Sequence, residues 1–182
     1  RLAGLAGPLD SVFPDIKSLW GAWQDASLIL IDVPIGLPDA HKWKRQCDSL
    51  ARHYLGVRRS SVFSPPCWEA LAAATREDAK RLNHDNIGVS LSEQTLGIMP
   101  KIRQVNYFLR DHPSARCSVR EVHPEVCFWA SNGGVPLVTG KKKLEGYVER
   151  LQLLNQVDPS TSEIVESALG RWTRSQVARD DI

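Results

Sequence analysis

The pattern of hydrophobic residues predicts a buried strand near the start of the chain. Residues 28–31 are four consecutive aliphatic residues, which is typical of a strand buried on both faces in the middle of an α/β sheet. The run ends at Asp32, and Pro34, Gly36 and Pro38 then end the strand and stiffen the turn. Open α/β sheets bind ligands at the carboxyl ends of their strands, so Asp32 is a candidate site residue. The alternative is that Asp32 only accepts hydrogen bonds from the backbone of its own turn.

Helical periodicity surrounds this strand. Residues 10–24 carry apolar side chains at helical spacing, and a second helix is expected after Asp39 and before Gly56. The predicted apolar face of this second helix comprises Trp43, Cys47, Leu50, Ala51 and Tyr54. The pattern also predicts helices over residues 66–82, after a capping box of Ser90 and Glu93, after Pro124, over residues 141–157 and after Ser160. Pro100 should kink or break the helix that contains it.

A second strand is predicted over residues 118–122, and it ends in a group of side chains suited to chemistry. Glu121, His123 and Glu125 alternate, so in extended backbone they would point to one face and suit a divalent cation or a general acid/base pair. Two alternatives stay open. Glu125 could instead be an acid in the first turn of the next helix, and His123 could be a buried histidine with satisfied hydrogen bonds.

Strands that alternate with helices predict an α/β fold in a single domain over residues 1–182. Two strands are too few for a stable sheet, because three or more are usually needed. We therefore expect N-terminal strands to precede this sequence, which begins with Arg1 rather than Met.

Two further groups of residues are candidates for binding. Arg59, Ser60 and Ser61 follow one another in a loop, and Arg52 lies on the preceding predicted helix. Guanidinium and hydroxyl groups suit phosphate, although surface loops with two arginines are common. Asp180 and Asp181 close the chain, where adjacent acids are usually a solvated tail.

Composition narrows the function classes only slightly. The chain is 42% hydrophobic and 24% charged, as expected for a soluble protein without a membrane segment or signal peptide. Its net charge of +2 is too small to argue for nucleic acid. The four cysteines show no C-x-x-C or zinc spacing, which favours reduced thiols and a cytoplasmic location.

Several segments, taken together and in order, resemble the family catalogued as domain of unknown function 429. The matching segments are residues 31–38, 45–48, 51–52, 55–56, 58–63, 88–90 with Gln94, 101–102, 121–128, 142–143 with Gly146, and Arg150 with residues 153–154. The resemblance implies an RNase-H-like fold, in which a mixed sheet is flanked by helices, and a predicted nuclease activity. It also implies a first-strand aspartate that has no counterpart here, and a closing Asp-Asp-x-x-Asp-Ala motif that Asp180 and Asp181 would open. We therefore expect the domain to be incomplete at both ends.

The resemblance leads to a specific hypothesis, a metal-dependent phosphodiesterase acting on nucleic acid or a nucleotide. Its metal ligands would be Asp32, Glu121, Asp180 and Asp181, holding Mg²⁺ or Mn²⁺. His123 would move protons, with Glu125 beside it in the catalytic group. Arg52, Arg59, Ser60 and Ser61 would hold a phosphate.

Two other function classes stay open on the sequence. One is an ATPase or sugar-kinase-like enzyme of related fold, for which only Asn132-Gly133-Gly134 suggests a phosphate loop. The other is a non-catalytic binding module with structural acids. Neither the choice among RNA, DNA and small nucleotides nor the oligomeric state can be predicted.

Overall fold

The computed structural model describes residues 11–41 and 44–171, and in them it shows a mixed α/β protein that is mostly helical. The sheet has two parallel strands, β1 (Ile29–Ile31) and β2 (Val119–Glu121), with Ile31 opposite Glu121. The helices are α1 (Ile16–Trp23), α2 (Gln46–Leu55), α3 (Trp68–Ala72), α4 (Arg76–Ile87), α5 (Glu93–Asp111), α6 (Pro124–Ser131), α7 (Leu144–Val157) and α8 (Thr161–Arg171). Two 3₁₀ helices cover Gly56–Ser61 and Pro113–Cys117.

One face of the sheet packs on α1 and α5. The shared core contains Ile16, Val105, Phe108, Leu109, Ala115 and Val119, with Ile29 and Ile31 packed against it. The opposite face of β1 is open, because Leu28 and Leu30 are 55% and 54% exposed. The prediction of a strand buried on both faces is therefore wrong. Only alternate side chains of β1 meet helices within the described part of the chain.

A second core joins α3, α4 and α5 around Cys67, Ala70, Ala79 and Leu96. Asn83 is fully buried there. Its Oδ1 accepts the Cys67 N–H at 2.7 Å, and its Nδ2 donates to the Val89 carbonyl at 2.7 Å. Because a buried amide must satisfy both its ends, Asn83 fixes the chain on either side of α4.

Contacts divide the chain into two compact units, Phe13–Cys127 and a second that includes residues 128–171. In the second unit α7 and α8 are joined by Asn155, which donates to the Ser162 hydroxyl at 2.8 Å and accepts its N–H at 3.1 Å. Gly146 is required there, because a Cβ at this position would lie 2.4 Å from the Gly140 carbonyl oxygen. The single-domain interpretation of residues 1–182 stays a prediction.

Several predicted elements differ from the observed ones. The helix expected over residues 66–82 is two helices, because Thr75 caps α4 with its side chain. Ser92, not Ser90, caps α5 by accepting the Thr95 N–H at 3.0 Å. Helix α5 continues through Pro100, which is exposed, because buried side chains on both sides of it hold the helix to its core.

The predicted apolar face of α2 is also wrong. Leu50 and Tyr54 are 52% and 39% exposed, whereas Asp48 and Leu55 are buried. Trp43 lies outside the described residues. The helix begins at Gln46 rather than near Asp39, and its inner side carries charged groups.

The four cysteines are free thiols. Among the described residues, no helix has the length and apolar character needed to cross a membrane. The α/β class is confirmed at this level, while the RNase-H-like arrangement remains a proposal.

Candidate functional site

The carboxyl ends of the two parallel strands carry the two acids that the sequence singled out. Asp32 directly follows β1, and Glu121 is the last residue of β2. The Glu121 Oε2 accepts the Ile35 N–H at 2.8 Å and forms an ion pair with Arg45. Glu121 therefore ties the turn after β1 to the start of α2.

Arg45 is the centre of a buried ionic cluster. It is 7% exposed, and besides Glu121 it contacts the Asp48 Oδ1 at 3.4 Å and the Cys47 Sγ at 3.1 Å. Burial alone would lower the pKa of Arg45, but the charges of Glu121 and Asp48 together raise it above its ordinary value. The guanidinium is thus fixed in its charged form between two carboxylates.

Asp48 is held less favourably in the same cluster. Burial raises the pKa of its carboxyl, and this effect exceeds the lowering by Arg45 and Arg52. Arg52 itself donates to neutral oxygens, the Val62 carbonyl at 2.9 Å and the Ser64 hydroxyl at 3.2 Å. Because neither oxygen carries a charge, these contacts do not neutralise the positive charge that Arg52 brings to this side of α2.

A small cavity of about 80 Å³ runs along this side of α2. We call it the α2 pocket. Its polar lining comprises Lys44, Arg45, Asp48, Ser49, Arg52 and Ser64, and its apolar wall comprises Pro38, Pro65, Ile87 and Val89. Three cationic side chains face one carboxylate, so the pocket suits an anion.

Asp32 has different neighbours from Glu121. It is exposed, and it lies near Cys127 in α6, where burial and the Asp32 charge raise the pKa of the thiol. In the strand register Glu121 stands opposite Ile31, so Asp32 is one residue further along. The two predicted acids thus lie at one edge of the sheet, with Glu121 turned toward α2 and Asp32 near α6.

Polar contacts join the 3₁₀ helix Gly56–Ser61 to the residues that follow β2. The His123 Nε2 lies 3.3 Å from the Ser61 carbonyl oxygen, so this nitrogen carries the proton when the hydrogen bond forms. The Nδ1 of His123 is buried and has no hydrogen-bond partner. Glu125 forms an ion pair with Arg58 at 3.7 Å. These contacts agree with the structural alternatives, in which Glu125 is an acid in the first turn of the next helix and His123 is a hydrogen-bonded buried histidine. The Nδ1 of His123 nevertheless remains an unused acceptor beside the end of β2.

The predicted phosphate-binding residues separate in the structure. Arg52 and Ser61 are partly buried and contact the site, whereas Arg59 and Ser60 are exposed. The Ser61 hydroxyl donates to the Arg58 carbonyl at 2.9 Å. Asp180 and Asp181 lie outside the described residues.

The described residues do not by themselves form a metal site. Across 11–41 and 44–171, no three His, Cys, Asp or Glu side chains are grouped so as to hold an ion. One oxygen of Glu121 is already used by the Ile35 N–H and by Arg45. A cation at this edge would need further ligands.

Sequence reasoning missed Arg45, Asp48, Lys44, Ser49 and Ser64. A usable signal was present, because Arg45, Asp48 and Arg52 are spaced three and four residues apart and so share one face of a helix. The exposed apolar residues of α2 concealed this signal. They suggested that the opposite face was the inner one.

The fold and the site define a mixed α/β protein in which the ends of two parallel strands carry acids beside a cationic pocket. A family model described as "Protein of unknown function (DUF429)" matches residues 2–182, so the chain belongs to this family. The resemblance seen in the sequence is thereby confirmed. No curated protein and no solved structure matches the chain.

Proposed function

We propose that the protein is a phosphodiesterase of the nuclease class, built on an RNase-H-like fold and acting on nucleic acid or a nucleotide. One observation carries this proposal. The acid-bearing end of β2 adjoins the α2 pocket through Arg45, which contacts Glu121 and also lines the pocket. Carboxylates next to guanidiniums at a strand edge provide both parts of phosphoryl chemistry, a proton acceptor and a phosphate-binding group.

Each side chain has a defined part in this proposal. Arg52 and Lys44 bind a phosphate oxygen, since they line the pocket with positive charge. The exposed Asp32 carboxylate is accessible to a substrate or to an attacking water. Glu121 acts as a positioning residue, because it holds Arg45 and the turn that follows β1. His123 offers its Nδ1, which has no hydrogen-bond partner, as a proton acceptor.

A Mg²⁺ or Mn²⁺ ion is part of the proposal but not of the described geometry. Asp32 is the exposed carboxylate at the strand edge, and Asp180 and Asp181 would have to supply the remaining ligands. Such an ion would stabilise the attacking and leaving oxygens. The free thiols suit a reducing compartment, so we place the activity in the cytoplasm.

The test is cleavage of labelled single- and double-stranded RNA and DNA, and of a nitrophenyl phosphodiester, by the full chain. We expect cleavage with Mn²⁺ or Mg²⁺ that EDTA abolishes. Asp32→Asn should lower kcat by at least about 100-fold, since it removes a group acting on the reacting atoms. Asp25→Asn is the matched control, because Asp25 is exposed and precedes the opposite end of β1. Equal activity of the two variants, or cleavage that survives EDTA, contradicts the proposal.

The ATPase alternative receives little support from the glycine segment. Gly133 and Gly134 have φ values of 64° and 83° and lie directly after α6. The Gly134 N–H donates to the Trp129 carbonyl at 2.9 Å, as in the turn that ends a helix. A phosphate loop instead precedes a helix, because its N–H groups must point at the phosphates.

A further inference from the structure

We infer that the α2 pocket is a binding site for one phosphate monoester group, so that the preferred substrate or product carries a terminal phosphate. This inference deepens the proposed function, because it names the end group that the substrate presents. It rests on the size of the pocket, on its charge and on an unsatisfied donor in its wall.

The size of the pocket favours a single tetrahedral group. Its volume of about 80 Å³ corresponds to two or three waters, at roughly 30 Å³ each. Pockets that enclose larger ligands span roughly 300–1,000 Å³. A phosphate group can therefore enter, while a nucleoside must remain outside.

The charge of the pocket favours an anion. Lys44, Arg45 and Arg52 line it together with the carboxylate of Asp48, and Arg45 is also paired with Glu121. Among the described residues Arg52 has no carboxylate within ion-pair distance, and it donates instead to the Val62 and Ser64 oxygens. A terminal phosphate carries nearly two charges at neutral pH, whereas an internal phosphodiester carries one. The cations suit either charge, and the small volume of the pocket then favours the terminal group.

The start of α2 adds to this preference. Arg45 is the N-cap residue of this ten-residue helix, and no side chain caps its first N–H groups. The first turn borders the pocket through Arg45, Asp48 and Ser49. The positive end of a helix dipole stabilises an anion placed there.

An unsatisfied donor points independently to a ligand. The Arg45 side chain is only 6% exposed, and its Nη1 makes no hydrogen bond although it is buried. Its nearest acid is the Asp48 Oδ1 at 3.4 Å. Buried donors are nearly always satisfied in proteins, so a missing acceptor is an informative exception. Arg45 lines the pocket, and a phosphate oxygen that approaches Nη1 from there would supply this acceptor.

The hydroxyls of Ser49 and Ser64 complete the polar lining. The Ser64 hydroxyl accepts from Arg52 at 3.2 Å, which leaves its own proton for an acceptor in the pocket. Ile87 and Val89 form the apolar wall, which excludes water from the bound group. The shared ligand chemistry is thus a phosphate monoester, whether free phosphate, a mononucleotide or a polynucleotide end.

The experiment measures the binding of inorganic phosphate to the full chain by calorimetry, with chloride at equal ionic strength as the reference. Arg52→Ala should weaken binding by about tenfold or more, since a charge-assisted contact is lost. Lys44→Met is the second variant, because Lys44 is exposed whereas Arg45 is buried. The matched control is Lys80→Met, which removes an exposed lysine that pairs with Glu93 on another part of the surface.

A second arm compares mononucleotides and oligonucleotides that differ only in a terminal phosphate. We expect the phosphorylated forms to bind at least about tenfold more tightly, and the difference to vanish in Lys44→Met. Equal binding with and without the phosphate, or no binding of phosphate at all, overturns the inference. Phosphate binding without any cleavage supports the inference and contradicts the proposed function. Cleavage that is equal with and without the terminal phosphate supports the proposed function and contradicts the inference.

Discussion

At the scale of single residues, Arg45 is the side chain that determines the electrostatics of the site. It is buried, it pairs with both Glu121 and Asp48, it lines the α2 pocket, and one of its nitrogens makes no hydrogen bond. A buried cation between two acids is costly to remove, because the acids then repel each other in a poorly solvated place. The site and the stability of this unit are therefore linked through one residue.

We expect Arg45→Ala to lower the free energy of unfolding by about 3 kcal/mol, because Glu121 and Asp48 would lose their shared cation. Urea denaturation measures this change. Arg81→Ala removes an exposed guanidinium and should stay within about 0.5 kcal/mol of the wild type. A loss for Arg45→Ala as small as that of Arg81→Ala would show that the cluster contributes nothing.

Asp48 gives a prediction about pH. Burial raises the pKa of its carboxyl above the ordinary value of 3.8, so the folded protein binds this proton more tightly than the unfolded chain. Its contribution to stability therefore falls as the pH rises from about that ordinary value through the raised one. We expect the stability of Asp48→Asn relative to the wild type to rise between acidic and neutral pH.

Urea titrations from acidic to neutral pH test this sign. The control is Asp78→Asn, because side-chain hydrogen bonds from Thr75 and Arg81 lower the pKa of Asp78. The stability of Asp78→Asn relative to the wild type should therefore fall as the pH rises. If the relative stability of Asp48→Asn also falls, Arg45 lowers the pKa of Asp48 by more than burial raises it, and our description of the cluster is wrong.

Sequence reasoning located part of this site. Asp32 could be placed at a strand end because an aliphatic run stops at it, and Glu121 because a short strand was predicted over residues 118–122. Arg52 was identified as a cation near the site. Arg45 and Asp48 were missed, although their spacing with Arg52 places them on one helix face, because a charged pair buried on the inner side of α2 contradicts the hydrophobic pattern by which a helix face is predicted.

At the scale of elements, α5 holds the turn that follows β1. Asn106 is 4% exposed, donates to the Pro34 carbonyl at 2.7 Å and accepts the Gly36 N–H at 3.1 Å. Gly36 has a φ of 76°, a conformation that other residues adopt only with strain. Together Asn106 and Glu121 fix the backbone directly after Asp32.

We expect Asn106→Leu to destabilise the protein by about 2 kcal/mol, because it leaves the Pro34 carbonyl and the Gly36 N–H without their partner. Hydrogen exchange of the Gly36 amide should accelerate as the turn opens. Asn86→Leu is the control, since Asn86 bonds only within its own helix, to the Leu82 carbonyl. Unchanged protection at Gly36 would mean that α5 does not hold this turn.

At the scale of the whole molecule, the chain comprises two compact units, and the site described above lies within Phe13–Cys127. The order of most helices and strands could be predicted, because Gly56 and Pro124 mark the ends of elements locally, whereas Ser90 does not cap α5. The exposed face of β1 could not, since it depends on which elements pack against the strand. The family match covers residues 2–182 and so includes both units.

The most direct test of the account is a crystal structure of the full-length protein grown with Mn²⁺ and phosphate. Anomalous scattering would locate the metal, and difference density the anion. The account predicts a Mn²⁺ ion bound by Asp32 at the carboxyl end of β1, and a phosphate in the α2 pocket between Arg45 and Arg52. A metal bound away from both strand ends, together with an empty α2 pocket, would contradict it.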